Sequence, residues 1–147
     1  MKFSLIILSA LLMGLSQQPI GCGFLAWFSL LPLIKFLDTS NLLKEKIKIG
    51  ILWGFIYHLS VVYWLFFNIG ITKFSGFLSL IAATSILTVN TILIVIIYSI
   101  VKNHTFSRIY YSLPLIWVSI EYIRTFSFLG FPWVSISNSQ AYYHLLI

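Results

Sequence analysis

The residues whose types and spacing could do chemistry fall mostly in one stretch, Leu113 to Gln140, which reads LPLIWVSIEYIRTFSFLGFPWVSISNSQ. It sets Glu121 and Arg124 in an apolar helical run. An ionised side chain deep in hydrocarbon costs roughly 2.5–3.5 kcal/mol on insertion scales, so such groups are usually paired or functional. Three residues apart on a helix, the two share a face and can pair. The bland reading is an ion pair that fixes packing, or Arg124 reaching outward while Glu121 meets a hydroxyl. The functional reading is a polar spot that receives a lipid head group or orders the following loop. General acid or base work needs a partner group and a substrate pose, and the sequence gives neither.

After this helix, Gly130, Phe131, Pro132 and Trp133 impose a stop. They read as an interfacial aromatic belt or as irregular backbone lining a cavity, and the polar run Ser135, Ser137, Asn138, Ser139 and Gln140 favours an outer loop. Elsewhere the signals are weaker. His58, beside Tyr57, reads as a hydrogen-bonded packing histidine. Tyr63 and Trp64 mark an interface or the wall of a lipid site. Cys22 has no adjacent base to activate it. There is no Ser/His/Asp or Cys/His constellation, no phosphate-cradling glycine loop and no Cys/His cluster with metal-ligand spacing, so neither a metal nor a cofactor is expected.

The elements that must position these residues are membrane helices. The chain is 60% hydrophobic and only 8% charged, against roughly 25% charged in an average soluble domain. Its net charge of +6 does not point to nucleic acid, because the basic residues are scattered or fall in the short run Lys44 to Lys48, with no basic stripe and interleaved aromatics. Met1-Lys2 and the apolar run after it resemble a secretory signal, and Pro19-Ile20-Gly21-Cys22 a lipoprotein processing box. Proline stands where that box wants leucine, however, and apolar sequence resumes at once. The segment is expected to be a retained span.

As one helix, Phe3 to Leu37 would reach about 50 Å against a hydrocarbon core of ~30 Å, so it must fold back at Ser16-Gln17-Gln18-Pro19. The expected architecture is an all-α integral membrane bundle of about five helices, spanning 3–15, 21–37, 49–69, 77–101 and 109–129, with an outer loop at 130–141. Ala82, Ala83, Thr84, Ser85, Thr88, Asn90 and Thr91 in the fourth span suit close helix approach. With the N-terminus inside, Lys2, Lys35, Lys44, Lys46, Lys48, Lys102 and Arg108 lie on the inner side, and Lys73 and Arg124 on the outer. That bias places the N-terminus in the cytoplasm and the 130–141 loop outside. No internal repeat points to a repeat-built transporter. The chain stops at Leu145-Leu146-Ile147 just as another apolar stretch begins, and a truncated product is expected.

Leu115-Ile116-Trp117 through Glu121-Tyr122-Ile123-Arg124, then Leu129-Gly130-Phe131-Pro132-Trp133 and Asn138-Ser139-Gln140, resembles the fifth membrane helix and outer loop of bacterial apolipoprotein N-acyltransferases. Gly50 to Trp64, with Trp53-Gly54-Phe55 and Tyr63-Trp64, is similar to that family's third helix, and Leu15 to Pro32 to its opening hairpin. The resemblance implies a multi-pass protein of the bacterial inner membrane, in the family that transfers an acyl chain from phospholipid to the amine of a diacylglyceryl-cysteine on lipoproteins. It implies phospholipid and diacylglyceryl-lipoprotein substrates and no nucleic-acid partner. The family's catalytic glutamate, lysine and cysteine belong to a carbon-nitrogen hydrolase domain that these 147 residues do not match, so no catalytic residue is expected here and the chain alone should be inactive.

What carries over is a set of candidates for the lipid or substrate entrance: Glu121, Arg124, Gly130, Phe131, Pro132, Trp133 and Gln140, with Tyr63 and Trp64 at the same level. The expected role is anchoring and shaping that entrance, as a truncated gene product or as one half of a split enzyme whose hydrolase domain is a separately encoded chain. The competing expectations are a non-enzymatic scaffold or transport subunit, and a decayed fragment.

Overall fold

The structure, a computed structural model, describes residues 2–17, 19–104, 109–126 and 134–141. Gly130, Phe131, Pro132 and Trp133 lie outside the described residues. Among those described, the chain is all-helical, with no strand. Five helical passes run up and down the bundle, matching the expected count.

The first pass is α1, Lys2–Ser16. It ends where the Ser16 hydroxyl turns back to the Met13 carbonyl at 2.6 Å, and Gly21, at φ +70°, takes the backbone conformation that reverses the chain without a Cβ penalty. The second pass, expected as one helix over 21–37, comes in pieces. A 3-10 turn at Gly23–Leu25 leads to α2, Ala26–Ser29, and then α3, Leu31–Thr39. Pro32 sits in the first turn of α3, where its missing N–H costs nothing.

The third pass is α4, Leu43–Val62, followed by a 3-10 stretch at Tyr63–Phe67. Glu45 lies in its first turn, the favourable end for an acid on a helix dipole, and accepts a hydrogen bond from the Ser40 hydroxyl at 3.0 Å. Gly70, at φ +94°, turns the chain into α5, Lys73–His104. There Thr72 Oγ1 accepts the Ser75 N–H at 3.2 Å, satisfying one of the orphan donors of a helix start. The last pass is α6, Ile109–Thr125, with Pro114 inside it and Arg124 in its last turn. Pro114 leaves the Tyr110 carbonyl without its helical donor. A final 3-10 turn spans Ile136–Gln140.

Helix α4 is the hub. A Cβ on Gly14 of α1 would lie 1.9 Å from Ser60 Oγ of α4, and one on Gly54 would lie 2.9 Å from Thr91 of α5. These contacts run α1 and α4 in the same direction and α5 against them. Thr84, Thr88 and Thr91 are buried, while Ala82 and Ser85 of the same small-residue stretch are exposed. The buried set repeats at helical spacing, which fixes the face that α5 presents. Trp53, fully buried, donates from Nε1 to Ser9 Oγ at 2.8 Å, and Ser9 Oγ in turn donates to the Ser29 carbonyl. The edge of Trp117 on α6 meets the Trp53 ring with centroids 5.8 Å apart and planes at 84°. At the opposite end, Asp38 of α3 accepts from Tyr98 Oη at 2.7 Å and pairs with Lys102 Nζ at 3.3 Å, tying α3 to α5.

Among the described residues, two helical stretches, Leu43–Phe67 and Lys73–Lys102, are long and apolar enough to cross a membrane; Phe3–Ser16 is apolar but shorter. The Gly54–Thr91 approach leads to a direct test. Gly54→Val forces an overpacked α4–α5 contact and should cost about 1–3 kcal/mol, read as a lowered melting temperature in detergent, whereas Ala82→Val on the exposed face should leave it unchanged.

Candidate functional site

At the end of the bundle reached by α1, α4 and α6, the Glu121 carboxylate draws in three donors. Trp117 Nε1, one turn earlier on the same helix, reaches Oε1 at 2.9 Å. The Ser135 hydroxyl reaches Oε2 at 2.6 Å, and the Ile136 N–H reaches Oε1 at 3.1 Å. Charge-assisted hydrogen bonds of this kind are roughly twice as strong as neutral ones. They latch the 134–141 segment onto α6. Val134, which opens that segment, is buried at 5% exposure and held at φ +72°, a region that disfavours β-branched residues. Strain of that kind costs on the order of 1–3 kcal/mol and persists only where neighbouring contacts over-determine it. The Glu121 bonds to the next two residues are such contacts.

The latch extends into the opening hairpin. Gln17, 3% exposed, donates from Nε2 to Tyr57 Oη and to the Ser135 carbonyl, both at 3.3 Å. Gln140 Nε2 donates to the Gly23 carbonyl at 2.9 Å and to Ser139 Oγ at 3.0 Å. Two amides, one from each end of the chain, therefore cross-brace the loops. Ser135 and Ser137 also share a hydroxyl hydrogen bond at 2.8 Å.

Two cavities adjoin the latch. The larger, about 520 Å³, is a groove lined by Leu30 and Ile34, by α6 from Leu113 to Thr125, by Tyr98 of α5 and by Ser135 to Ser137. The smaller, about 10 Å³, lies among Tyr57, His58, Asn90, Thr91, Glu121 and Arg124. That is about the space of a single water, and the lining is polar enough to hold one. The His58 ring stacks at a tilt on Tyr57, centroids 4.8 Å apart.

Of the candidate entrance residues, Glu121, Arg124 and Gln140 come together at this end of the bundle. Glu121 and Arg124 line both cavities. Tyr63 and Trp64, 42% and 37% exposed, cap α4 at the same end without lining either cavity. Gly130 to Trp133 lie outside the described residues. The carboxylate's partners 14 and 15 residues on, and the role of Gln17, were not among the candidates. Gln17 read only as part of a polar break, and the signal that could have raised it is an amide followed directly by a turn, where a long polar side chain can reach across a bundle end. No cluster of three or more His, Cys, Asp or Glu able to hold a metal occurs among the described residues.

An all-helical bundle whose polar latch closes one end of a lateral apolar groove defines the class of protein. A family model described as the apolipoprotein N-acyltransferase N-terminal domain matches residues 9–147, and the chain belongs to that family. It is 28% identical over 141 residues to an apolipoprotein N-acyltransferase of Geobacter metallireducens (strain ATCC 53774 / DSM 7210 / GS-15), an alignment that covers 91% of this chain and 26% of the relative. The chain thus spans about a quarter of that relative's length. No solved structure matches the chain.

Replacing Glu121 by Gln keeps the shape and removes one of two full acceptors facing Ser135 and Ile136. An unsatisfied donor costs about 1–3 kcal/mol, so amide exchange at Ile136, followed by deuterium uptake, should quicken about tenfold or more in Glu121→Gln, with uptake in the middle of α4 unchanged.

Proposed function

We propose that this chain is the membrane-embedded N-terminal domain of an apolipoprotein N-acyltransferase, in the bacterial inner membrane, with its N-terminus in the cytoplasm and five spans. Its task is to anchor the enzyme and to shape the lipid-facing entrance through which phospholipid and diacylglyceryl-lipoprotein reach a carbon-nitrogen hydrolase domain. Glu121, Arg124 and Gln140 hold that entrance in form, with Gly130, Phe131, Pro132 and Trp133 continuing it and Tyr63 and Trp64 at its level.

The observation that carries this reading is the groove: apolar along most of its length, open to the side, and polar only where the latch closes it. Apolar faces point outward all around the bundle. Leu5 and Leu8 of α1, Ile86 and Val89 of α5 and Leu115 of α6 are all exposed, which supports a lipid surrounding. Glu121 itself accepts from three donors, which supports a positioning role for it, with the acyl-transfer chemistry left to a hydrolase-type nucleophile.

Two experiments test the reading. In a Cys22→Ser background, a membrane-impermeant thiol reagent added to intact spheroplasts should label Ser137→Cys and leave Ser40→Cys unlabelled; the reverse pattern inverts the topology and breaks the link to lipoprotein acylation. Purified chain given phospholipid and a diacylglyceryl peptide should yield no N-acylated product, with turnover appearing when a carbon-nitrogen hydrolase polypeptide of the family is added. Turnover by these residues alone would contradict the assignment.

A further inference from the structure

The antiparallel seam between α4 and α5 brings two lysines together at the end of the bundle away from the latch. Gly54 of α4 meets Thr91 of α5. One turn nearer that end Gly50 meets Val95, where an added Cβ would lie 3.0 Å from Cγ2. A further turn sets Lys46 opposite the buried Ser99, with Lys102 three residues on along the same face of α5. Side chains on a helix lean toward its N-terminus. Lys46 therefore reaches toward the bundle end, while Lys102 on the opposed helix leans back to meet it.

Lys46 is 4% exposed, whereas Lys35, Lys44 and Lys48 are exposed. A lysine lying along apolar surface ordinarily keeps its ammonium in water, and burying that charge without a partner is costly. The charged neighbours of Lys46 are Lys102 and Asp38, and the one carboxylate is already engaged. Its Oδ1 accepts from Tyr98 Oη at 2.7 Å and from Lys102 Nζ at 3.3 Å. Among the described residues the Lys46 ammonium makes no hydrogen bond or ion pair. Two ammonium groups thus share a single acid.

The backbone adds to this positive field. Lys46 belongs to the first turn of α4, whose N-cap residue Leu42 has no side-chain acceptor to offer, and a helix start attracts anions and disfavours cations. Glu45, the acid of that turn, is exposed and bonded to Ser40 at 3.0 Å. A buried ammonium short of a partner, a second ammonium beside it and an open helix start suit one ligand chemistry, an oxyanion with several acceptor atoms.

We propose that this end of α3, α4 and α5 binds the phosphodiester of an anionic glycerophospholipid, with Lys46 and Lys102 as its cationic ligands. The proposal rests on the membrane placement above, which sets this end at the cytoplasmic face, where basic pockets between helices take lipid head groups. The exposed rim of Lys35, Lys44 and Lys48 repels the head-group ammonium of phosphatidylethanolamine. Phosphatidylglycerol carries no such cation, so it is the favoured occupant. A lipid held there ties α4 to the Asp38–Lys102 pair that already joins α3 to α5.

The test uses the full chain in phosphatidylethanolamine vesicles doped with spin-labelled phosphatidylglycerol or, separately, spin-labelled phosphatidylethanolamine. Electron spin resonance reads the motionally restricted fraction of each label. The wild-type chain should restrict phosphatidylglycerol at least threefold more than phosphatidylethanolamine. Because the site is buried, that ratio should hold within a factor of two at about 1 M salt, where the Debye length is about 3 Å. Lys46→Gln should bring the ratio close to one and Lys46→Arg should keep it, while Lys44→Gln and Lys48→Gln change it less than twofold. A wild-type ratio near one overturns the proposal and leaves the membrane placement standing. A ratio that collapses at high salt, or that survives Lys46→Gln and is lost in Lys44→Gln or Lys48→Gln, also overturns it, because the preference is then diffuse surface charge. Loss of the preference on adding inorganic phosphate overturns the lipid assignment in favour of a soluble phosphate ligand. Should Lys46→Gln fail to fold, the salt series on the wild-type chain decides alone. A chain that does not insert into the vesicles overturns the placement and the proposal together.

Discussion

A carboxylate in an apolar helix must be satisfied, and the way Glu121 is satisfied sets the geometry around it. Its oxygens take the indole N–H of Trp117, the hydroxyl of Ser135 and the backbone N–H of Ile136. The first of these orients Trp117 against Trp53 and so into the core. The other two pull a separate segment down onto the helix. Glu121 is half-buried, and its bonds to Ser135 and Ile136 hold the segment that opens at left-handed Val134. The Gln17, Tyr57 and Ser135 contacts extend this network across the first and last parts of the chain.

The remainder of the bundle serves as a rigid frame for that latch. Small residues let α4 approach α1 and α5 at van der Waals limits, with Gly14 on Ser60 and Gly54 on Thr91. At the other end, Asp38 gathers Tyr98 and Lys102, so α3 is tied to α5 beside the groove that Tyr98 helps to line. Small residues at these contacts let the helix backbones come close.

Much of this was legible from residues alone. Charge in an apolar run singled out Glu121 and Arg124, the turn residues after Ser16 forced a hairpin, and five helical passes followed from the spacing of polar breaks. What stayed hidden was long-range. The donors to Glu121 lie 14 and 15 residues on, one of them backbone, and no local rule connects an amide at 17 to a carbonyl at 135. The threonines of α5 were noted as a group, but only the registry of 84, 88 and 91 separates the buried face from exposed Ala82 and Ser85. The second pass read as one helix because Pro32 is equally compatible with a first turn. Asp38, in the last turn of α3, binds two residues of α5, a pairing across 60 and 64 residues that no local pattern signals.

The central claim is that Glu121 and the 134–141 segment stabilise each other directly. A double-mutant cycle on thermal stability in one detergent, with Glu121→Gln, Ser135→Ala and the pair, measures that coupling. A coupling energy of about 1.5–3 kcal/mol, in the range of hydrogen bonds to charged groups, is the result predicted. Strict additivity of the two substitutions would contradict it.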